Sequence, residues 1–235
     1  MATFEEADAY LMKGIQLEGL VEHSGNEVRE KSKNAYGSDR PDARLAFTAV
    51  LADVLTRKEG IPGDTNPSRS HRLTLIATFM QGMNFTERLI SEGYYAKAAA
   101  VLKQDYEIMT RIAEEKKGVA KRGVTPNVKF APPGSQRLYG ELNDVAHPSQ
   151  PEILGKLLGE YSSGAAQAVG VCPVFRGEVA TNLYDCHVFV LGEIAREAII
   201  LYEEMYNDKE GLQDAVKWFV TAMGFLEKAG FKVET

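Results

Sequence analysis

The residues best suited to chemistry lie between Gln136 and Ser149, in the segment QRLYGELNDVAHPS. A helix is predicted to begin after Ser135, whose hydroxyl can cap the first turn, and to end near His147. Pro148 sets that end, because proline disfavours the α conformation at the preceding residue. The helix is therefore expected to be short.

A polar stripe runs along this helix at four-residue spacing, formed by Tyr139, Asn143 and His147. It lies beside an apolar stripe that comprises Leu138, Leu142 and Val145. One interpretation is a site in which His147 acts as a general acid/base, supported by Tyr139, Asn143 and Glu107 of the preceding helix. The other is that the same groups bond to neighbouring backbone and fix the helix end, where an imidazole is favoured by the dipole.

Basic residues accumulate before this helix. Lys103, Glu107 and Arg111 recur four residues apart on one side of the preceding helix, a pattern typical of a solvated ion ladder. The irregular stretch that follows carries Phe130 among a group of cations: Lys116, Lys117, Lys121, Arg122 and Lys129. Such a stretch either holds a single-stranded nucleic acid or phosphorylated ligand, or is simply exposed to solvent.

His187 falls among the core positions of the strongest helical pattern, residues 178–206. It is interpreted either as a partner of His147 across a cleft or as a hydrogen-bonded core histidine. The candidate catalytic residues are thus His147, Asn143, Tyr139 and Glu107. The candidate ligand-binding residues are Lys103, Arg137, Lys121, Arg122 and His187.

Composition limits the function. The net charge of −6 argues against a protein that mainly coats duplex nucleic acid, although a local basic patch is compatible with it. The acidic start MATFEEADAY is unlike a secretory signal, and no window holds eighteen apolar residues, so a cytoplasmic protein outside the membrane is expected. Cys172 and Cys186 form no zinc or disulfide pattern, no histidine has a Glu-x-x-His partner, and no metal or cofactor is expected.

Hydrophobic periodicity predicts an all-α fold, a single helical domain over residues 1–235 with six to seven helices. Residues 1–58 are expected to form an N-terminal helical pair and residues 70–229 the core bundle. One short extended or hairpin excursion is expected near residues 168–176, where Pro173 and two glycines interrupt the helical period. The thin apolar seam of residues 4–28, or the exposed face of the last helix, predicts a homodimer.

Two segments, VLKQDYEIM and LYGELNDVAHPS, resemble an uncharacterised bacterial helical family related to the HEPN (higher eukaryotes and prokaryotes nucleotide-binding) domains. Lys103 and Glu107 match the basic residue and glutamate of that family, and the segment from Tyr139 to Ser149 matches its short helix ending in His-Pro-Ser. The resemblance implies a HEPN-like bundle, RNA or a nucleotide as ligand, and a link to a defence or stress system.

HEPN ribonucleases carry an arginine and a histidine with four to six residues between them. Here those positions hold Gly140, Glu141 and Leu142, and nine residues separate Arg137 from His147. The leading expectation is therefore a helical-bundle protein that binds a nucleotide, a nucleic-acid end or a protein partner. The alternative is a HEPN-like ribonuclease in which His147 is the general acid/base.

Overall fold

The computed structural model describes residues 4–147, 149, 151–163 and 166–231. Within those ranges the chain is predominantly helical, which confirms the all-α class. The helices are α1 Phe4–Tyr36, α2 Asp39–Thr56, α3 Pro67–Ser91, α4 Tyr95–Lys116, α5 Gln136–Ala146, α6 Pro151–Leu157, α7 Gly177–Tyr206 and α8 Gln213–Lys228. Short 3-10 turns at Val128–Phe130 and Glu210–Leu212 precede α5 and α8.

Eight α-helices therefore occur in the described ranges, where six to seven were expected. The additional helix is α6, in the segment PEILGKL. Pro151 stands at its first position, where a proline costs no hydrogen bond and its fixed φ suits the helix. The segment spans only two turns, too few for its apolar period to identify it in the sequence.

The core lies where α4 and α7 pack against each other, with α3 against both. Leu102 of α4 and Ile194 of α7 are fully buried there. α2 packs mainly on α7 and α8, and it contacts α1 only lightly although the two are consecutive in the chain. One continuous apolar cluster joins α2 to α4, α5, α7 and α8, so the core bundle includes α2.

The hairpin lies earlier in the chain than expected. Strand β1, Glu160–Ser163, pairs antiparallel with β2, Ala166–Val169, so only the end of the hairpin overlaps residues 168–176. The remainder of that range, which contains Pro173, forms no strand, because proline cannot donate to a ladder. Instead this part of the chain lies on α4, where the Arg176 backbone N–H donates to Tyr95 Oη at 2.9 Å.

Gly93 forms the joint between α3 and α4 with a φ of +83°, in the left-handed region that favours glycine. A Cβ at this position would lie 3.0 Å from Val28 Cγ1 and 3.1 Å from the Val174 carbonyl oxygen. The joint therefore requires glycine for two reasons: its backbone conformation, and the close approach of α1 and of the segment before α7.

Candidate functional site

The stripes predicted on α4 and α5 face each other. Lys103 Nζ donates to Asn143 Oδ1 at 2.9 Å and lies 5.4 Å from the centre of the Tyr139 ring. Tyr139 Oη donates to Glu107 Oε1 at 2.9 Å. We call these four residues, Lys103, Glu107, Tyr139 and Asn143, the α4/α5 polar cluster. The structure thus brings together four of the residues singled out in the sequence, from two helices about forty residues apart.

The groups of this cluster are bonded to one another. Exclusion of water, together with the hydrogen bond to the Glu107 carboxylate, raises the pKa of Tyr139 to about 12. The phenol therefore stays protonated at neutral pH and acts as a donor to Glu107. The ammonium of Lys103 and the amide of Asn143 are likewise engaged with each other, so the cluster fastens α5 to α4.

A second contact fixes the beginning of α5. Tyr106, fully buried on α4, donates to the carbonyl oxygen of Ser135 at 2.9 Å, and its ring packs 5.5 Å from that of Tyr139. The Ser135 hydroxyl bonds to the Pro132 carbonyl at 2.7 Å and makes no cap bond to the helix. The expected capping role of Ser135 is therefore wrong, because its hydroxyl is directed back along the chain.

His147 lies outside the polar cluster. α5 ends at Ala146, and His147 has extended backbone angles (φ −86°, ψ 121°), as is usual before a proline; Pro148 itself lies outside the described residues. Its imidazole is exposed, and its Nδ1 lies 2.7 Å from Ser149 Oγ. The four-residue spacing from Tyr139 and Asn143 no longer applies at His147, because the helix has already ended.

His187 lies in the middle of α7 with no exposed surface. Neither ring nitrogen has a hydrogen-bond partner among the described residues, so this core histidine lacks the hydrogen bonds expected for it. Exclusion of water, and secondarily the charge of Arg44, lowers its pKa to about 3, which keeps the ring neutral at physiological pH. A ligand in solvent has no access to it while the core is closed.

Arg137 is directed to solvent on the outer side of α5. Its Nε lies 2.6 Å from Glu141 Oε1, an exposed pair at i, i+4. Both residues line a groove of about 540 Å³ between α5 and α7, whose walls also include Asn182, Phe189 and Phe231. Sequence reasoning missed this groove, because three distant parts of the chain form it and none has a motif.

Cys186 also lines this groove. Exclusion of water, with the nearby charge of Asp185, raises the pKa of its thiol to about 12. The thiolate is the reactive form of cysteine, and this pKa leaves almost none at neutral pH. The groove therefore holds no activated nucleophile at this position.

The stretch after α4 carries positive charges that, unlike those of the α4/α5 polar cluster, are mostly unpaired. From Lys116 to Gly140 the chain contains six lysines and arginines and no aspartate or glutamate. Lys121 and Arg122 are exposed, and the ammonium groups of Lys117 and Lys129 lie 5.3 Å and 4.8 Å from the centre of the Phe130 ring. In the described ranges these four cations have no carboxylate partner. We call residues 117–130 the basic segment.

The basic segment is tethered to α4. Glu114, which is buried, accepts a hydrogen bond from the Asn127 backbone N–H at 2.8 Å and pairs with Arg111 at 2.7 Å. Arg111 in turn donates to the carbonyl oxygen of Val124. The expected ladder of Lys103, Glu107 and Arg111 does not form: Arg111 holds the basic segment, while the other two hold α5.

Two further properties concern the described residues as a whole. No set of three or more His, Cys, Asp or Glu side chains in them is arranged to hold a metal ion. None of their helices combines the length and the apolar character needed to cross a membrane. Comparison with models of protein families, with curated proteins and with solved structures gives no match, so the relationship to HEPN domains stays a prediction.

Proposed function

We propose that the protein is a binding module for single-stranded nucleic acid, and that the basic segment contacts the phosphates of the ligand. One observation supports this above others: four cations close together in the described chain, Lys117, Lys121, Arg122 and Lys129, have no carboxylate partner, although the net charge of the protein is −6. Two of them, Lys117 and Lys129, lie beside the ring of Phe130. Backbone phosphates are the polyanion that such a group neutralises, and aromatic rings beside them suit unpaired bases.

The geometry favours binding over cleavage. General acid/base catalysis on a phosphodiester needs a positioned proton carrier and a cation facing the phosphate. His147 is exposed at a helix end, where its imidazole hydrogen-bonds with Ser149. Arg137, the nearest upstream arginine, pairs with Glu141. The hydrogen bonds within the α4/α5 polar cluster hold α5 against α4 and occupy the groups that a reaction centre would need.

The proposal can be tested by fluorescence anisotropy with labelled single-stranded RNA at several salt concentrations. Four neutralised phosphates give a slope of log K against log salt of about −3 for a single strand. Lys121→Glu with Arg122→Glu should weaken binding at least about tenfold, because two attractions become repulsions. Lys217→Glu with Lys228→Glu makes the same change in net charge at exposed positions on α8 and should leave most of the affinity.

Two results would contradict the proposal. One is an equal loss in the two double variants, which would show that only the total charge of the protein matters. The other is RNA cleavage by the purified protein that His147→Ala alone abolishes, which would establish the ribonuclease alternative. We expect His147→Ala to leave RNA intact and RNA binding nearly unchanged.

A further inference from the structure

The first half of α1 extends away from the bundle. Residues 7–20 are all exposed, and the first buried position along α1 is Gly25, after which Val28, Ser32 and Tyr36 are buried. We call residues 7–24 the arm. Six large apolar side chains of the arm are exposed: Tyr10, Leu11, Met12, Ile15, Leu17 and Leu20. An isolated helix as short as the arm is only marginally stable in water, and packing of its apolar side chains against a partner helix would stabilise it.

One face of the arm has the spacing of a helix–helix seam. Ala7, Tyr10, Gly14, Leu17, Val21 and Ser24 follow one another at alternating intervals of three and four residues. The same spacing continues to Val28, which is buried where α1 joins the bundle. The exposed seam is therefore continuous with the face that α1 already buries.

Gly14 supplies a second, independent observation. It lies inside a helix, where glycine is unfavourable, and a Cβ at this position would meet no atom within 4 Å. Nothing in the described chain therefore requires glycine there. Because Gly14 lies on the seam between Tyr10 and Leu17, a glycine at this position would let the backbone of a second helix approach closely.

We propose that the arm pairs antiparallel with the arm of a second copy of this chain. In the register that places Gly14 opposite Leu17 of the other copy, Tyr10 faces Val21, so that a large residue meets a smaller one in both of these layers. The same register places Ala7 opposite Ser24, so the pairing covers the whole arm and stops where α1 enters its own bundle. This fit of the arm to itself identifies a second copy as the partner.

The charge of the arm disfavours an anionic membrane surface as the alternative. Asp8, Glu18 and Glu22 outnumber Lys13, whereas interfacial helices carry a basic polar face. The groove between α2 and α8, about 770 Å³ and lined by Trp218, is a poorer partner for the arm. Its rim carries Asp42, Asp53 and Asp214 with Arg57, so it would face the arm with like charge.

Sedimentation equilibrium of the full chain at micromolar concentration tests the pairing, with an expected mass about twice 25.9 kDa. Gly14→Gln should raise the dimer dissociation constant at least about tenfold, because a long side chain blocks the close approach. Gly19→Gln is the matched control, since Gly19 also has open space around it but lies on the opposite side of the arm. Gly19→Gln raises helix propensity by the same amount as Gly14→Gln and should leave the dimer intact.

Cross-linking tests the register, with Cys172 and Cys186 replaced by serine. Under oxidation, the protein carrying both Tyr10→Cys and Val21→Cys should form a covalent dimer, whereas Tyr10→Cys alone should not. Dimerisation by Tyr10→Cys alone would mean a parallel arrangement and would overturn the proposed register.

Trp218, the single tryptophan of the chain, reports on the competing α2/α8 groove. Its emission should not change on dilution through the dimer transition, because the arm pairing leaves it half exposed. A 25.9 kDa monomer, equal effects of Gly14→Gln and Gly19→Gln, or dissociation caused by Trp218→Gln would each overturn the proposal.

Discussion

Replacing His187 with methionine should remove one cause of acid sensitivity from this protein. The folded chain holds the imidazole in the core with its pKa lowered to about 3, whereas the unfolded chain titrates near 6.5. As the pH falls below 6.5, the unfolded state gains a proton that the folded state excludes. The stability contributed by the neutral ring is therefore complete above pH 6.5 and is lost progressively as the pH falls toward 3.

The size of the effect follows from that difference in pKa. The free energy of unfolding lost through His187 is about 1.3 kcal/mol at pH 5.5 and about 2.5 kcal/mol at pH 4.5, each relative to pH 7. Methionine has a similar volume and adapts to irregular surroundings, and it leaves no unpaired ring nitrogen in the core. At pH 7 the variant should therefore equal the parent, or exceed it by about 1–3 kcal/mol.

Urea unfolding of both proteins at pH 7, 5.5 and 4.5 measures this. The comparison must be the difference between variant and parent, because other groups titrate over the same range. The expected result is a difference that grows in favour of the variant as the pH falls, by the amounts given above. A constant difference over the three pH values would show that His187 is not held neutral, and the reasoning from its burial would be wrong.

Two further changes test the core. Burial raises the pKa of Asp105 to about 6 from its usual 3.8, so its contribution to stability is most favourable below pH 3.8 and is lost as the pH rises through 6. Asp105→Asn should therefore raise the free energy of unfolding at pH 7 by up to about 3 kcal/mol. In urea titrations this gain should shrink as the pH is lowered toward 4. Leu102→Ala and Ile194→Ala should each cost about 2–5 kcal/mol, since both side chains are fully buried. The exposed Leu45→Ala should change stability by less than about 0.5 kcal/mol, and equal effects at all three leucine and isoleucine positions would contradict the core described above.

The pairing of α4 with α5 shows what sequence spacing can predict. A four-residue interval places Lys103 with Glu107, and Tyr139 with Asn143, on one side of their helices whatever the tertiary structure. Burial of the neighbouring apolar residues, Leu102 and Leu142, then brings the two polar sides together. The spacing alone did not reveal that the four groups bond to one another, because that depends on which helices pack side by side.

The position of His147 shows where the same reasoning fails. Extending the stripe by four residues from Asn143 assumes that the helix continues, yet the helix ends at Ala146. Pro148 predicts this end to within one residue, and a helix that ends there does not carry His147 on its polar stripe. The hairpin was expected around Pro173 for a related reason, since proline and glycine mark a break in the helical pattern. The paired strands instead precede Pro173, in a segment whose paired residues include no proline and can all donate a backbone N–H.

The contrast between the polar cluster and the basic segment suggests how a binding surface is better sought in a sequence. The cluster has the residue types of an active site, but each of its polar groups has a complementary partner within reach. The basic segment has unremarkable lysines and arginines, but no carboxylate occurs from Lys116 to Gly140 to neutralise them. Because a protein gains little by gathering like charges in one loop, the proposed nucleic-acid ligand would account for their accumulation without counter-charges.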